Sequence, residues 1–150
     1  MTATPTHRPA ESAPETAHGL RLTPGRAFVL ETLAASDRAL TAYQILDRMR
    51  EAGLGKEPPI VYRALAFLMA HGLVHRVERL SAYVACASHA DCHEPSAFLI
   101  CRDCRRVTEV PIDLAESHID SAARGAGFTV GHVSVEVEGR CETCGPAAAG

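Results

Sequence analysis

Two Cys-x2-Cys pairs constrain this chain more than any other feature. Cys101 and Cys104 form the first pair and Cys141 and Cys144 the second, with 36 residues between them. Each pair sits just past a stretch that reads as a β-strand, where a tight turn can aim both sulfurs at one point. Four thiolates at about 2.3 Å complete a tetrahedral Zn²⁺ site and leave no position open to water or substrate, so the site is structural. Its binding free energy, on the order of 10 kcal/mol or more, becomes folding free energy for a subdomain with few large apolar residues. Redox dithiols or disulfides are the competing use of this spacing. Two pairs flanking one small α/β unit favour zinc.

The compartment fits that use. The opening "MTATPTHRPAESAPETAHG" has no apolar h-region, and a secretory signal needs one. No apolar run approaches the roughly 20 residues of a membrane helix. A cytoplasmic protein without a membrane partner is expected, in a reducing setting where paired cysteines hold metals.

Residues 1–19, rich in Pro, Thr, Ala and Glu, read as a disordered arm, and 146–150 as a tail. Between them the pattern is α+β. "LTPGRAFVLETLAAS" opens with Thr23 as N-cap and Pro24 in the first turn, with Ala27, Leu30 and Leu33 on one face. "LTAYQILDRMREAG" starts at Thr41, stops at Gly53 and buries Ile45, Leu46 and Met49. "GKEPPIVYRALAFLMAHG" starts at Pro58 and Pro59, stops at Gly72 and buries Val61, Ala64, Leu65 and Leu68. "LVHRVERLSAYVAC" alternates as a hairpin turning near Arg79–Ser81. Three short helices and a hairpin predict a winged helix-turn-helix over 20–84, with the third helix as DNA reader. A hinge loop over 85–96 leads to a small α/β unit over 97–145. That unit contains strands in "AFLIC" and "RRVTEV", a helix in "IDLAESHIDSAARGAG", and a strand "FTVGHVSVEVEG" bulged at Gly131.

Charge divides along the same boundary. Residues 21–85 carry about +3 and residues 86–150 carry −5, as suits a chain that meets a polyanion with one half. On the reading helix Tyr62 and Arg63 oppose the apolar stripe. Arg63 can grip guanine O6 and N7, and Tyr62 can press a thymine methyl or donate to phosphate. Tyr43, Arg26 and Lys56 are expected at the DNA backbone.

A second group of soft and hard ligands gathers at the boundary: His75, Cys86, His89, Cys92, His93, Glu109 and His132. His75 opens the wing and Cys86 closes it, and Glu109 follows the first cysteine turn. A metal held by His75, Cys86, a loop residue and Glu109 would clamp one half to the other. A thiolate beside imidazole and carboxylate suits tetrahedral Zn²⁺. No Ser/His/Asp set or Gly-rich phosphate loop points to an enzyme or to a small organic substrate, and a catalytic zinc would need an open position.

The ordered series "PPIVYRALAFLMAHGLVHRVE", "SAYVAC", "FLICRDCRRVTEV" and "HVSVEVEGRCETC" resembles the ferric uptake regulator family over about residues 20–145, and within it the zinc uptake regulator branch. The resemblance implies a homodimeric repressor with a winged helix, a C-terminal α/β dimerisation domain, a structural four-cysteine zinc and a regulatory zinc at the hinge. It would bind palindromic operator DNA and control zinc uptake. His75, Cys86 and Glu109 match that branch's sensory ligands. The remaining ligand, a histidine seven residues before the first CxxC cysteine, is replaced here by Glu94. A one-residue loop adjustment would let His93 serve, with Glu94, His89 and Cys92 as alternatives. The His/Asp-rich run of iron- and peroxide-sensing relatives is replaced by Pro95-Ser96-Ala97-Phe98. The extra site built from it, which Glu116 and His132 match in part, is expected to be absent or degraded. A sister regulator for iron, manganese or peroxide is the alternative reading. The same resemblance gives Tyr62 and Arg63 their place on DNA.

Overall fold

A computed structural model of the protein describes residues 16–17, 19–87, 95–113 and 118–145. Strands β1 (Thr16–Ala17) and β2 (Leu20–Arg21) pair antiparallel, so two residues of the stretch read as a disordered arm are strand. Helices α1 (Pro24–Ala34), α2 (Ala42–Glu51) and α3 (Pro58–Ala70) follow. Thr23 Oγ1 accepts from the Arg26 amide, and Thr41 with Gln44 forms a full capping box. Pro58 and Pro59 supply the fixed φ of a first turn in which Glu57 makes no side-chain cap. Gly53 and Gly72, at φ 71° and 70°, end α2 and α3 in the left-handed region that glycine enters at least cost.

The predicted stripes of α2 and α3 are buried in full. On α1, Ala27 and Leu33 are buried as expected, but Val29 is fully enclosed while Leu30 is only half-buried. The reason is that α1 packs on both α3 and the wing, so a single stripe underestimates its covered surface. One hydrophobic cluster joins the three helices to Leu73, Val74 and Tyr83.

The wing is β3 (Val74–Val77) antiparallel to β4 (Ala82–Ala85), turning through a 3₁₀ segment Glu78–Leu80 and Ser81 at φ 48°. A second sheet has β5 (Ser96–Cys101) at its centre, β6 (Val107–Pro111) antiparallel on one side and β7 (Val135–Gly139) parallel on the other. Helix α4 (His118–Gly125) lies between β6 and β7 in sequence. Strand β7 is shorter than the sequence predicts, because residues 128–134 belong to no strand. The parallel ladder pairs Val135 with Ala97, next to the first residue of β5, so earlier residues have almost no partner left. No Gly131 bulge forms for the same reason.

Directly opposed strand residues point to the same side of a sheet. The register therefore sorts this sheet into two faces. Glu109, Phe98 and Glu136 form one cross-strand row, and Val107, Ile100 and Glu138 the next row of that face. Phe98 and Ile100 pack with Val77 of the wing in a second buried cluster, so this face receives the N-terminal half. The opposite face carries Leu99 and Val137, both exposed.

Candidate metal centres

Parallel pairing explains how two distant cysteine pairs meet. Strands β5 and β7 run the same way, so Cys101 stands opposite Gly139 and both strands end at one edge. After β5 the chain reverses tightly: Arg105 N donates to Cys101 O at 3.0 Å, and Arg105 itself sits at φ 64°. After β7, Cys144 N and Gly145 N both donate to Cys141 O. An Arg140–Asp103 ion pair at 3.1 Å braces the two turns. All four Sγ atoms lie within 4.8 Å of one another, and Cys104 Sγ is 3.6 Å from Cys141 Sγ. A tetrahedron with 2.3 Å bonds has edges of about 3.8 Å, so the set has the dimensions of a zinc cage.

The electrostatics agree. Amide N–H groups, chiefly those of Cys104 and Cys141, bring the Cys101 thiol down to about 6. The Cys144 amide lowers Cys141 in the same way. Cys144 is pushed up to about 12, since its thiol is held as the donor to the Cys141 and Cys104 sulfurs. Four sulfurs this close share protons as one group. Ionising all of them requires a cation in their midst.

The second group forms where the halves touch. His75 comes from β3, Cys86 follows β4, and Glu109 comes from β6; one ligand atom of each lies within 4.8 Å of the others. The Cys86 amide donates to Leu73 O at 2.9 Å, which fixes the thiol beside β3. Glu109 accepts from the Ala87 amide at 2.8 Å. His75 Nε2 stands 3.3 Å from Glu109 Oε1, and its ring centroid is 5.5 Å from that of Phe98. Burial alone would raise the Glu109 carboxyl. The nearby His75, the Ala87 amide and Ser96 outweigh it and hold the group at about 2. Among the described residues His75 Nε2 is nevertheless buried without a directed hydrogen bond, close to the carboxylate but off its line. A buried ring nitrogen left unsatisfied beside a thiol and a carboxylate is what a shared cation would complete.

His93, His89, Cys92 and Glu94 lie outside the described residues, as does Glu116. His132 is described. It lines a cavity of about 580 Å³ together with His75, Met69 and Phe98, but it joins neither ligand group. Among the described residues these two groups are the only ones of three or more close ligand atoms.

Tyr43 lies on α2, and Tyr62 and Arg63 on α3. Tyr43 is 63% and Tyr62 47% exposed, and Arg63 is exposed beside Tyr62. Arg26 stacks its guanidinium 3.7 Å above the Phe67 ring, and Arg63 and Arg26 border one small cleft at the start of α1. The Lys56 carbonyl accepts from Arg50 Nε at 3.1 Å, tying the loop before α3 to α2. No described helix is long and apolar enough to cross a membrane.

The sequence profile of the Ferric uptake regulator family matches residues 17–138. The "Zinc uptake regulation protein" of Escherichia coli (strain K12) is 39% identical over 125 residues, which cover 83% of this chain and 73% of that protein. Its namesake from Mycobacterium tuberculosis (strain ATCC 25618 / H37Rv) is 30% identical over 131 residues, covering 85% and 97%. Among solved structures, "Zinc Uptake Regulator Complexed With Zinc AND DNA" superposes with a TM-score of 0.78 at 39% identity, covering 83% of each chain. Holo XcZur superposes at 0.74 with 41% identity, covering 83% of this chain and 86% of that one.

Proposed function

This chain belongs to the ferric uptake regulator family, and on that premise we propose that it is a zinc-responsive transcriptional repressor. Cys101, Cys104, Cys141 and Cys144 hold a structural Zn²⁺. His75, Cys86 and Glu109, with His93 as the fourth ligand, hold a regulatory Zn²⁺, giving one of each per subunit. Tyr62, Arg63 and Tyr43 read or grip operator DNA. The winged helix spans 20–84, the hinge 85–96 and the dimerisation unit 97–145, and a second copy covers the sheet face bearing Leu99 and Val137. With four protein ligands no coordination position stays open, so the protein is a regulator and not an enzyme. It acts on DNA in the cytoplasm.

One observation carries the reading: three ligand types, from β3, from the residue after β4 and from β6, converge where the halves meet, and among the described residues the buried His75 Nε2 has no directed hydrogen bond there. The bound ion would supply the positive charge that lets thiolate, imidazole and carboxylate face one another. The residues do the rest. His75 belongs to the wing, Cys86 to the hinge directly after it, and Glu109 to the second sheet. Gathering them fixes the recognition helix against the dimer core. A palindromic operator demands a set spacing between two such helices. DNA and zinc then favour the same arrangement, and each raises the other's affinity by the same factor. A hundredfold switch needs only about 2.7 kcal/mol.

The test is operator binding by fluorescence anisotropy against buffered free Zn²⁺, on protein already holding its structural zinc. Affinity should rise steeply with free zinc, and Cys86→Ala should abolish the rise. Binding that ignores zinc and follows Fe²⁺ or Mn²⁺ would overturn the zinc assignment in favour of a sister regulator.

A further inference from the structure

The sheet face that meets the wing carries two carboxylates in one row. Glu109 on β6 and Glu136 on β7 flank Phe98, each one strand away from it. Glu109 serves the hinge site at one edge. At the other edge Glu136, which belongs to neither ligand group among the described residues, does something parallel. Its Oε1 accepts from the Glu78 amide at 2.6 Å and its Oε2 from the Arg79 amide at 3.1 Å. These two amides open the 3₁₀ turn at the tip of the wing. In the next row Glu138 Oε2 meets Arg79 Nη2 at 3.0 Å. Two oxygens of one carboxylate on consecutive backbone amides make a fixed, directional grip. Charge-assisted bonds of this kind are roughly twice as strong as neutral ones. The contact joins residues 57 and 58 positions apart in sequence and spans the two halves of the molecule.

We propose that Glu136, supported by the Arg79–Glu138 pair, is a positioning residue: a metal-independent latch that holds the wing tip on the sheet and so sets how much zinc the hinge requires. The wing is then held at two edges of one row, by ligands to a cation at Glu109 and by backbone amides at Glu136. Anything that favours the docked wing favours gathering His75 and Cys86 onto Glu109. The latch and hinge zinc are therefore coupled, and the coupling is reciprocal. The latch itself stands on the contacts above; its effect on zinc rests on the sensor reading of the hinge. Because Arg79 and Glu138 are partly exposed, their share should weaken with salt.

The experiment uses the full chain with its structural zinc in place. Small-angle scattering of the protein stripped of exchangeable metal is compared for wild type, Glu136→Ala and Glu136→Gln. Zn²⁺ affinity is then measured for each by chelator competition without DNA. Glu136→Ala should enlarge the radius of gyration and weaken zinc binding roughly fivefold or more. Glu136→Gln, which keeps one acceptor, should fall between. A Glu136→Ala profile identical to wild type overturns the latch whatever zinc does. An enlarged profile with unchanged zinc affinity overturns its role in setting the zinc requirement. An enlarged profile in a protein whose wild type takes up no second zinc supports the latch and sinks the sensor reading instead.

Discussion

The two ligand clusters differ in how they are built. The four-cysteine cluster draws on two turns at the ends of paired strands within one unit. The hinge cluster draws on β3, the residue after β4, and β6, which belong to different halves. A site inside one unit can only stabilise that unit. A site whose ligands lie on two units changes their relation when it fills. Donor type follows the same division: four thiol sulfurs in one cluster, and thiol, imidazole and carboxylate in the other.

The strongest way to break this comparison is to damage the closed cage. On the proposed structural zinc, Cys144→Ser or Cys101→Ser should strip the ion and unfold the second sheet, since such binding is worth on the order of 10 kcal/mol. Loss of one zinc by elemental analysis and loss of cooperative unfolding would be seen together. A variant that keeps full zinc content and a wild-type melting curve would remove the structural role. Cys86→Ala probes the other cluster. It should keep the structural zinc and the wild-type circular dichroism spectrum, yet lose about tenfold or more in affinity for the exchangeable zinc. If Cys86→Ala unfolded the chain as Cys144→Ser does, the division between closed cage and switch would fail.

A smaller effect sharpens what the switch controls. Arg63→Ala should cost about 1–3 kcal/mol of specific operator binding and relax one base position, without altering zinc affinity in the absence of DNA. Equal loss on every DNA sequence would move Arg63 from base reading to phosphate contact.

The comparison also shows what a sequence reveals. The cage was legible because its ligands come as two short motifs at fixed spacing, and each motif is a local turn. His75, Cys86 and Glu109 were legible only as residue types near a boundary and through the family resemblance. Their convergence depends on the wing's register and on Phe98 and Ile100 packing against Val77, which no local pattern encodes. The helix caps at Thr23 and Thr41 and the stops at Gly53 and Gly72 are local chemistry, and they appear where the sequence puts them. The extent of β7 is not local: it depends on how much of β5 remains to pair with. The roles of Glu136 and Glu138 are not legible in the sequence for a related reason. Acidic residues on a strand normally mark a solvent face, and only the docked wing gives these two their partners. Thr16–Ala17 pairing with Leu20–Arg21 had no hydrophobic alternation to announce it.

The smallest predicted effect concerns protons at the hinge. Glu109 is held at about 2 in the folded chain, down from an ordinary 4.5. A group whose folded value is depressed contributes stability above its unfolded value and loses it as pH falls through the folded one. Zinc-stripped hinge protein should therefore lose stability between about pH 4.5 and 2 more steeply than Glu109→Gln does, by up to one proton in the slope of unfolding free energy against pH. At neutral pH Glu109 is already ionised, so zinc does not compete with a proton there. A cysteine thiol ordinarily keeps its proton near neutrality, and zinc must displace it. Between pH 6 and 8, Glu109→Gln should weaken zinc binding without changing its pH slope, whereas Cys86→Ser should flatten that slope by about one proton. Chelator competition at several pH values distinguishes the two. Parallel slopes in all three proteins would mean that the Cys86 proton is not displaced by zinc. Cys86 would then either be a thiolate before zinc arrives or not be a ligand, and the affinity of Cys86→Ser distinguishes these: unchanged affinity leaves His75 and Glu109 without a thiolate, a harder site suited to iron or manganese.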